Sequence, residues 1–480
     1  MSNFLTVTLI LLLFLTGFSV RAQQVWTVDQ CIEQGWQTNL SVRQSEFNKV
    51  NAQYDLEQSK AGFHPSLNAS YTNGYNWGRS IDPTSYQFVH GLVNTNNISL
   101  TGNITVFDGF ITPNRVKQSK VGVQLADAQL EQQKNFIAMN IASAYLQTLL
   151  AYENIGLISN QLAASRELFY ITKKYLTQGL KSEWEVLQIK SQIAKESSDS
   201  VQAVNTLRLA KLTLTQLMNI PYSDDFEIER FDPRFTAYDA VLPNSEVIYD
   251  SAVTVLPEIK NANLNIAYNE LELKARKGSY YPNLALTGRL GSTYASSSKN
   301  ISQQISYEEQ PLGYLASDPT QTVIVAIPSY ANVASPYPYF DQLNNNLTGT
   351  VSIVLSVPIY NKKQVKVSAE KAEVNVNKAK LDLRNQENIL QKDIESDYLQ
   401  FQLLNDQLKA SREKLTYLQE SYKKMLKQYD LQLSNSYELM LEKNKILASE
   451  SEIAQLQYQR LFKIIILQYY QSGNVELPMR

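Results

Sequence analysis

Residues 98–107 read ISLTGNITVF, and residues 346–359 read NLTGTVSIVLSVPI. In the first, Ile98, Leu100, Ile104 and Val106 alternate with Ser99, Thr101, Asn103 and Thr105. In the second, Leu347, Val351, Ile353, Leu355, Val357 and Ile359 stand against Asn346, Thr348, Thr350 and Ser352. Successive side chains of a strand point to opposite faces, so each segment is a strand with one apolar and one polar face. Two more segments repeat the pattern. Residues 67–77 place Leu67, Ala69, Tyr71, Tyr75 and Trp77 on one side, and 283–291 set Leu284, Leu286 and Leu290 against Thr287 and Arg289. A soluble sheet on a core and a transmembrane barrel with its apolar side outward share this signature, at ~10 residues per strand in the barrel. Alternation alone leaves both open.

Around these strands the chain is duplicated. Pro65-Ser66-Leu67 matches Pro282-Asn283-Leu284 at a displacement of 217, which also carries Val42, Phe47 and Tyr54 onto Ile259, Leu264 and Leu271. Val106-Phe107 matches Ile359-Tyr360 at a displacement of 253. That displacement persists downstream, placing Tyr145-Leu146-Gln147 on Tyr398-Leu399-Gln400 and Glu185-Val186-Leu187 on Glu438-Leu439-Met440. The two displacements differ by 36, so the second copy has the longer insertion between its strands. Each copy orders helix, strand, loop, strand and helical hairpin. The predicted boundaries are 23–220 for the first repeat, 221–245 for a linker, 246–472 for the second repeat and 473–480 for a tail. Strands are expected at about 66–78, 96–107, 283–295 and 346–360, and helical hairpins over 114–219 and 364–471.

The helices decide between the two sheets. Asn114 to Gln178 is free of proline and rich in Ala, Leu, Gln, Lys and Glu, a run on the order of 97 Å at ~1.5 Å per residue. In the second copy Ile394, Phe401, Leu408, Leu415, Tyr422 and Tyr429 recur every seven residues, joined by Leu404, Leu418 and Met425. The last helix adds the columns Leu439, Ile446, Ile453 and Met440, Leu447, Ala454, Leu461. Sustained sevens mean helices supercoiling on partners.

At the N-terminus the apolar run FLTVTLILLLFLTGF, residues 4–18, precedes Val20-Arg21-Ala22. Residues 1–22 are expected to be a removed secretory signal. No later stretch approaches the ~20 apolar residues of a transmembrane helix, so a membrane crossing would have to be β-structure. Lys plus Arg number 44 and Asp plus Glu 46, for a net charge of -2, which gives nucleic acid no electrostatic footing. Cys31 is the single cysteine, so no intrachain disulfide forms, and only His64 and His90 are histidines. With no phosphate loop, zinc spacing or nucleophile pairing, an enzyme is not expected, and neither cofactor nor metal is assigned.

Four strands leave two open edges, which hydrocarbon does not tolerate, so closure calls for several copies. The duplicated Pro-x-Leu strand openings, the strand-ending turns Val106-Phe107-Asp108-Gly109 and Val357-Pro358-Ile359-Tyr360, and the hairpins that follow resemble the TolC-type outer-membrane channel family over the whole mature chain. The resemblance implies a mainly α fold with a transmembrane β-barrel contribution: a trimer of twelve strands continuing into a helical tunnel. It further implies an outer-membrane exit duct of a Gram-negative bacterium, extending into the periplasm. Such a duct serves a tripartite efflux or type I secretion system, with a periplasmic adaptor and an inner-membrane transporter as partners. A soluble periplasmic coiled-coil adaptor is the alternative. It explains the hairpins but not the strands.

The resemblance also points to residues. Hairpin tips are where an adaptor is expected to bind. In the first tip Gly179 suits a left-handed C-cap, Leu180 follows, and Ser182 suits an N-cap. The second tip, with Leu433 and Ser434, lacks the glycine. Glu438, with its counterpart Glu185, falls where the family narrows the periplasmic entrance with acidic residues. The second acidic position of the family falls on Leu441, with Glu442 adjacent. Tyr71, Tyr75, Trp77, Phe107, Tyr294 and Tyr360 lie where a barrel wears aromatic girdles. Residues 297–345 are expected to form an extracellular loop.

Overall fold

The computed structural model describes residues 25–81, 86, 88–231 and 242–475. The expected signal segment therefore lies outside the described residues, as do part of the linker and most of the tail. The elements in order are β1 (Val25–Trp26), α1 (Val28–Thr38), α2 (Leu40–Ala61), β2 (Ser66–Ile81), β3 (Phe88–Phe107), α3 (Ile111–Thr177), α4 (Glu183–Leu217) and β4 (Glu227–Ile228). There follow α5 (Ser245–Val255), α6 (Pro257–Gly278), β5 (Asn283–Ala295), β6 (Lys299–Leu315), β7 (Asp318–Pro336), α7 (Tyr339–Asn345), β8 (Thr348–Ser356), α8 (Gln364–Asp430) and α9 (Ser436–Ser472). The chain divides into two compact units, one of residues 1–56, 118–270 and 374–480, the other of 57–117 and 271–373.

The duplication is visible in the element bounds. α5 and α6 keep the smaller of the two displacements from α1 and α2 at both their ends, and α8 keeps the larger one from α3 at both of its own. The caps repeat too. Thr27 caps α1 by accepting from the Gln30 amide, and Asn244, its counterpart in the second copy, caps α5 by accepting from the Val247 amide. These small polar side chains satisfy amides the first turn would otherwise leave bare.

The first unit is helical. α3 and α8 contain 67 residues each, about 100 Å of helix at ~1.5 Å per residue. The heptad column of α8 turns inward: Ile394, Phe401, Leu408 and Tyr429 are buried, with Leu415 and Tyr422 half-buried. Leu439, Ile453, Met440, Ala454 and Leu461 of α9 are buried as well. Near the start of the unit, Val28, Cys31 and Ile32 of α1 pack with Ile141, Tyr145, Leu214 and Ile465 into the largest apolar cluster. There the parallel β1–β4 pair is pinned by the Tyr145 hydroxyl, which donates to the carbonyls of Trp26 and Glu229. Burial raises the phenol well above its ordinary value.

The second unit holds the alternating strands. β2, β3, β5 and β8 form one sheet in that order, each antiparallel to its neighbour. The register puts like with like. Tyr71 lies across from Ile98, Ala69 from Leu100, Leu100 from Leu290, Leu286 from Ile353 and Leu284 from Leu355. This face is exposed: Trp77 is 82%, Val351 78% and Ile353 74% accessible. The other face is laced by lateral hydrogen bonds, Ser70 to Ser99 at 2.7 Å, Thr287 to Asn103 at 3.2 Å and Thr293 to Asn97 at 3.0 Å. An apolar face left bare beside a satisfied polar face inverts the soluble arrangement.

Three expectations change. β2 and β3 run to Ile81 and back from Phe88, longer than the alternation indicated, because segment 88–95 pairs by backbone without strict periodicity. Residues 297–345 are not a loop: they form the β6–β7 hairpin and α7. The prolines there sit in a two-stranded ribbon, whose strands are both edges and spare the missing amide donor. Besides the four expected strands, the described residues therefore include β1, β4, β6 and β7.

Two glycines permit a close crossing. Gly109 has φ +69, and a Cβ on it would lie 2.2 Å from the Gly278 carbonyl oxygen. A Cβ on Gly278 would lie 2.7 Å from the Gly109 oxygen. Gly109→Val should therefore lower the unfolding midpoint in detergent severely, by an overpacking cost of about 3 kcal/mol. Gly179→Ala, left-handed but in open space, should cost only about 1 kcal/mol. Equal shifts in a thermal melt would refute the crossing.

Candidate functional site

The two hairpin tips are built alike. At the end of α3 the Leu180 amide donates to Tyr175 O at 2.9 Å and the Gly179 amide to Leu176 O at 2.9 Å. Gly179 takes φ +72. This is a Schellman turn, with the left-handed residue at the first position past the helix. Ser182 then caps α4, accepting from the Glu185 amide at 3.3 Å. At the end of α8 the Leu433 amide donates to Gln428 O at 2.8 Å and the Gln432 amide to Tyr429 O at 3.0 Å. Gln432 takes φ +65, and Asn435 caps α9 through the Glu438 amide at 2.9 Å. The missing glycine thus leaves the turn intact: Gln432, the repeat counterpart of Gly179, adopts its conformation at a steric cost.

The tips expose apolar side chains. Leu180 is half-exposed and Leu433 largely so, flanked by Trp184 and Tyr437, which are counterparts under the same displacement. Ser434 is half-buried, and its carbonyl accepts from Lys181 Nζ at 3.0 Å. Trp184, Tyr437, Lys181 and Gln432 did not stand out by residue type. The displacement that aligns the repeats is the signal that finds them.

The two glutamates part company. Glu438 is exposed at the first turn of α9. Glu185 is turned inward, 3.4 Å from Lys181 Nζ, with the Ser436 amide donating to it at 3.4 Å. Its carboxylate ties the first tip to the start of α9, a helix N-terminus that favours negative charge. Lys181 also stands 4.4 Å over the ring of Tyr429, whose hydroxyl lies 2.6 Å from Thr172 Oγ1.

Deeper in the unit a buried polar cluster joins the hairpins. Lys443 of α9 donates to Gln161 O at 2.9 Å and Ser165 Oγ at 3.0 Å, both on α3. Glu196 of α4 accepts from Ser165, Gln161 and Gln192. The Asn444 side-chain oxygen accepts from Gln161 and Gln192 at 3.2 and 3.0 Å. Lys443 and Glu196 are buried, and Glu196 Oε2 has no partner there. Neither was visible in the sequence, where both read as solvated helix charges.

The aromatics occupy both ends of the sheet. Tyr75 and Trp77 lie exposed toward the far end of β2, with Tyr71 nearer its middle donating to Asn96 at 2.7 Å. Phe107 packs edge-on to Phe110, and Tyr360 is exposed, at the end where strands meet helices. Tyr294 differs: its ring packs 4.7 Å from Tyr339 of α7. Among the described residues no group of three or more His, Cys, Asp or Glu is placed to hold a metal.

Burial lowers the Lys443 ammonium from its ordinary 10.5 to about 8, while the Glu196 and Glu167 carboxylates pull it upward. Between those two values the folded chain has lost a proton that the unfolded chain keeps. This group therefore adds stability as pH rises through the window. Unfolding of wild type and Lys443→Met compared from pH 8 to 10.5 should show the difference moving in favour of the wild type. A flat difference would mean that the amine is not held in this environment.

Residues 31–219 match the family model described as outer membrane efflux protein. No curated protein matches the chain. Solved structures do. CusC shares 14% identity with a TM-score of 0.74, over 93% of this chain and 92% of that one. VceC of Vibrio cholerae shares 13% at 0.72, over 94% and 97%. MtrE of Neisseria gonorrhoeae, an outer-membrane channel in its open state, shares 13% at 0.69, over 93% and 88%. At such identities the likeness is one of fold. The resemblance drawn from sequence is thus borne out in fold along the chain and in sequence over its first repeat.

Proposed function

We propose that this chain, whose first repeat carries the outer membrane efflux protein pattern, is one protomer of an outer-membrane exit duct serving a tripartite efflux or type I secretion system. The observation that carries the reading is the four-stranded sheet, apolar outward and open at both edges. Water cannot cover that face favourably; lipid can. β2 and β5 run one way, β3 and β8 the other, so the free edge of β8 can take β2 of another copy antiparallel. Three copies make twelve strands, within the known range of such barrels. The aromatics Tyr71, Tyr75, Trp77, Phe107 and Tyr360 then lie at or near the interfaces as girdles, with Tyr294 supporting the outer one from beneath α7. The helical unit forms the periplasmic tunnel, and the substrate is moved rather than transformed. A soluble adaptor is disfavoured by the bare apolar face.

The tips are the adaptor contacts in this reading. Gly179 and Ser182 shape the first turn, Leu180 and Leu433 supply apolar anchors, and Ser434 lies between the tips. Glu438 faces the periplasmic entrance, where symmetry gathers carboxylates and favours cations, while Glu185 braces the tip behind it. The detergent-extracted protein should be an oligomer giving discrete steps in a planar bilayer, with Glu438→Lys lowering the cation-to-anion permeability ratio. A monomer without conductance sinks the duct, and unchanged selectivity sinks the entrance role of Glu438. Leu180→Asp combined with Leu433→Asp should cut co-purification of the periplasmic adaptor by roughly tenfold, about 1.4 kcal/mol, and leave conductance intact. Full adaptor recovery would remove the tips from the interface.

A further inference from the structure

The β6–β7 hairpin is built as an arm with a fixed root. At that root Gln342, 1% exposed, accepts from the Ala295 amide at 3.1 Å and donates to Tyr337 O at 2.8 Å. Ser292 Oγ donates to Leu343 O at 2.6 Å, and Asn346 Nδ2 donates to Thr293 O at 2.7 Å. The arm therefore leaves β5 and returns through α7 in one defined geometry.

Beyond the root, among the described residues, β6 and β7 pack substantially only on each other. Their register sorts the side chains. Ile301 lies across from Ala334, Ile305 from Tyr330, Tyr307 from Pro328 and Pro311 from Ile324, all on one face, which Gln303 opposite Asn332 and Glu309 opposite Ala326 interrupt. The opposite face is mixed, with Ser302, Gln304, Ser306, Glu308 and Gln310 of β6 across from Val333, Ala331, Ser329, Ile327 and Val325 of β7. Ile301, Ile305, Tyr307 and Tyr330 are each more than half exposed. A two-stranded ribbon by itself is marginally stable in water, and large apolar side chains concentrated and exposed on the more apolar of its two faces mark a contact.

The setting of the arm selects its partner. It is inserted between β5 and β8, at the strand ends remote from the helices, and β8 is an edge strand of the sheet. Where β8 meets β2 of the next copy, the roots of neighbouring arms are brought side by side at the same end. Each copy then presents the same apolar face in the same orientation. Residues 299–336 carry only four charges, Lys299, Glu308, Glu309 and Asp318, so ionic recognition of a foreign partner has little to act on.

We propose that the apolar faces of the β6–β7 arms are covered by neighbouring copies of this chain, the arms packing on one another beyond the outer end of the barrel. The proposal rests on the multi-copy closure argued above. A benzophenone amino acid placed at Ile305, and separately at Ser306, in the full chain in its membrane tests it. Irradiation at position 305 should give an adduct of twice the chain mass on a denaturing gel, several-fold stronger than that at 306. If the detergent-extracted protein is oligomeric yet position 305 couples to another protein or an outer-leaflet lipid, or to nothing, the arm contact is wrong and the duct stands. A monomeric mass overturns both.

Discussion

A sheet in hydrocarbon must pair every backbone amide and carbonyl, because each unpaired group costs several kcal/mol where no water can replace the partner. The order β2-β3-β5-β8 ends in two unpaired rows. Much else in the chain answers to that constraint. The exposed apolar face of Leu284, Leu286, Ile353 and Leu355 suits lipid, and the polar face of Asn97, Asn103, Thr287 and Thr293 suits a wet interior. In the proposed duct, closure by further copies would satisfy those edges without any device inside the chain. The same end of all four strands is joined to helices through short connections, from Ala61 to Ser66, Phe107 to Ile111, Gly278 to Asn283 and Ser356 to Gln364.

Duplication supplies those helices in matched lengths. The equality of α3 and α8, at 67 residues each, is kept although their side chains have diverged. The turns are kept by different chemistry. Glycine adopts the left-handed position of the first tip at little cost, whereas Gln432 adopts it under strain. Burial of Tyr429, with its hydroxyl on Thr172, helps to hold the second turn in place.

Much of this was legible in the residues, for identifiable reasons. Period two and period seven are properties of side-chain order, so the four sheet strands and the α8 column could be read directly. The hairpin of β6 and β7 could not, since Pro311, Pro319 and Pro328 with neighbouring glycine and serine carry the chemistry of a loop. β1 and β4, two residues each, fall below any periodic signal. The Lys443–Glu196 cluster was hidden because a charge on a helix is ordinarily solvated, and only the packing of three helices encloses it. Glu185 and Glu438 occupy equivalent sequence positions and still differ, because Lys181 precedes one by a single helical turn and Ser434 the other.

The unequal tips bear on how such a protein can change. In the ring proposed above, were the chain a single repeat, every substitution at a tip would appear at every position, and a partner docked there would accept or reject them all together. With two fused repeats a substitution would alter only alternate positions of that ring, and the unaltered ones would keep hold of the partner. Gly179 with Gln432 and Ser182 with Asn435 each hold one backbone geometry under two side chains, and Trp184 with Tyr437 put a different aromatic at one repeat position. Under the proposed function the fusion would separate the inheritance of shape from that of specificity.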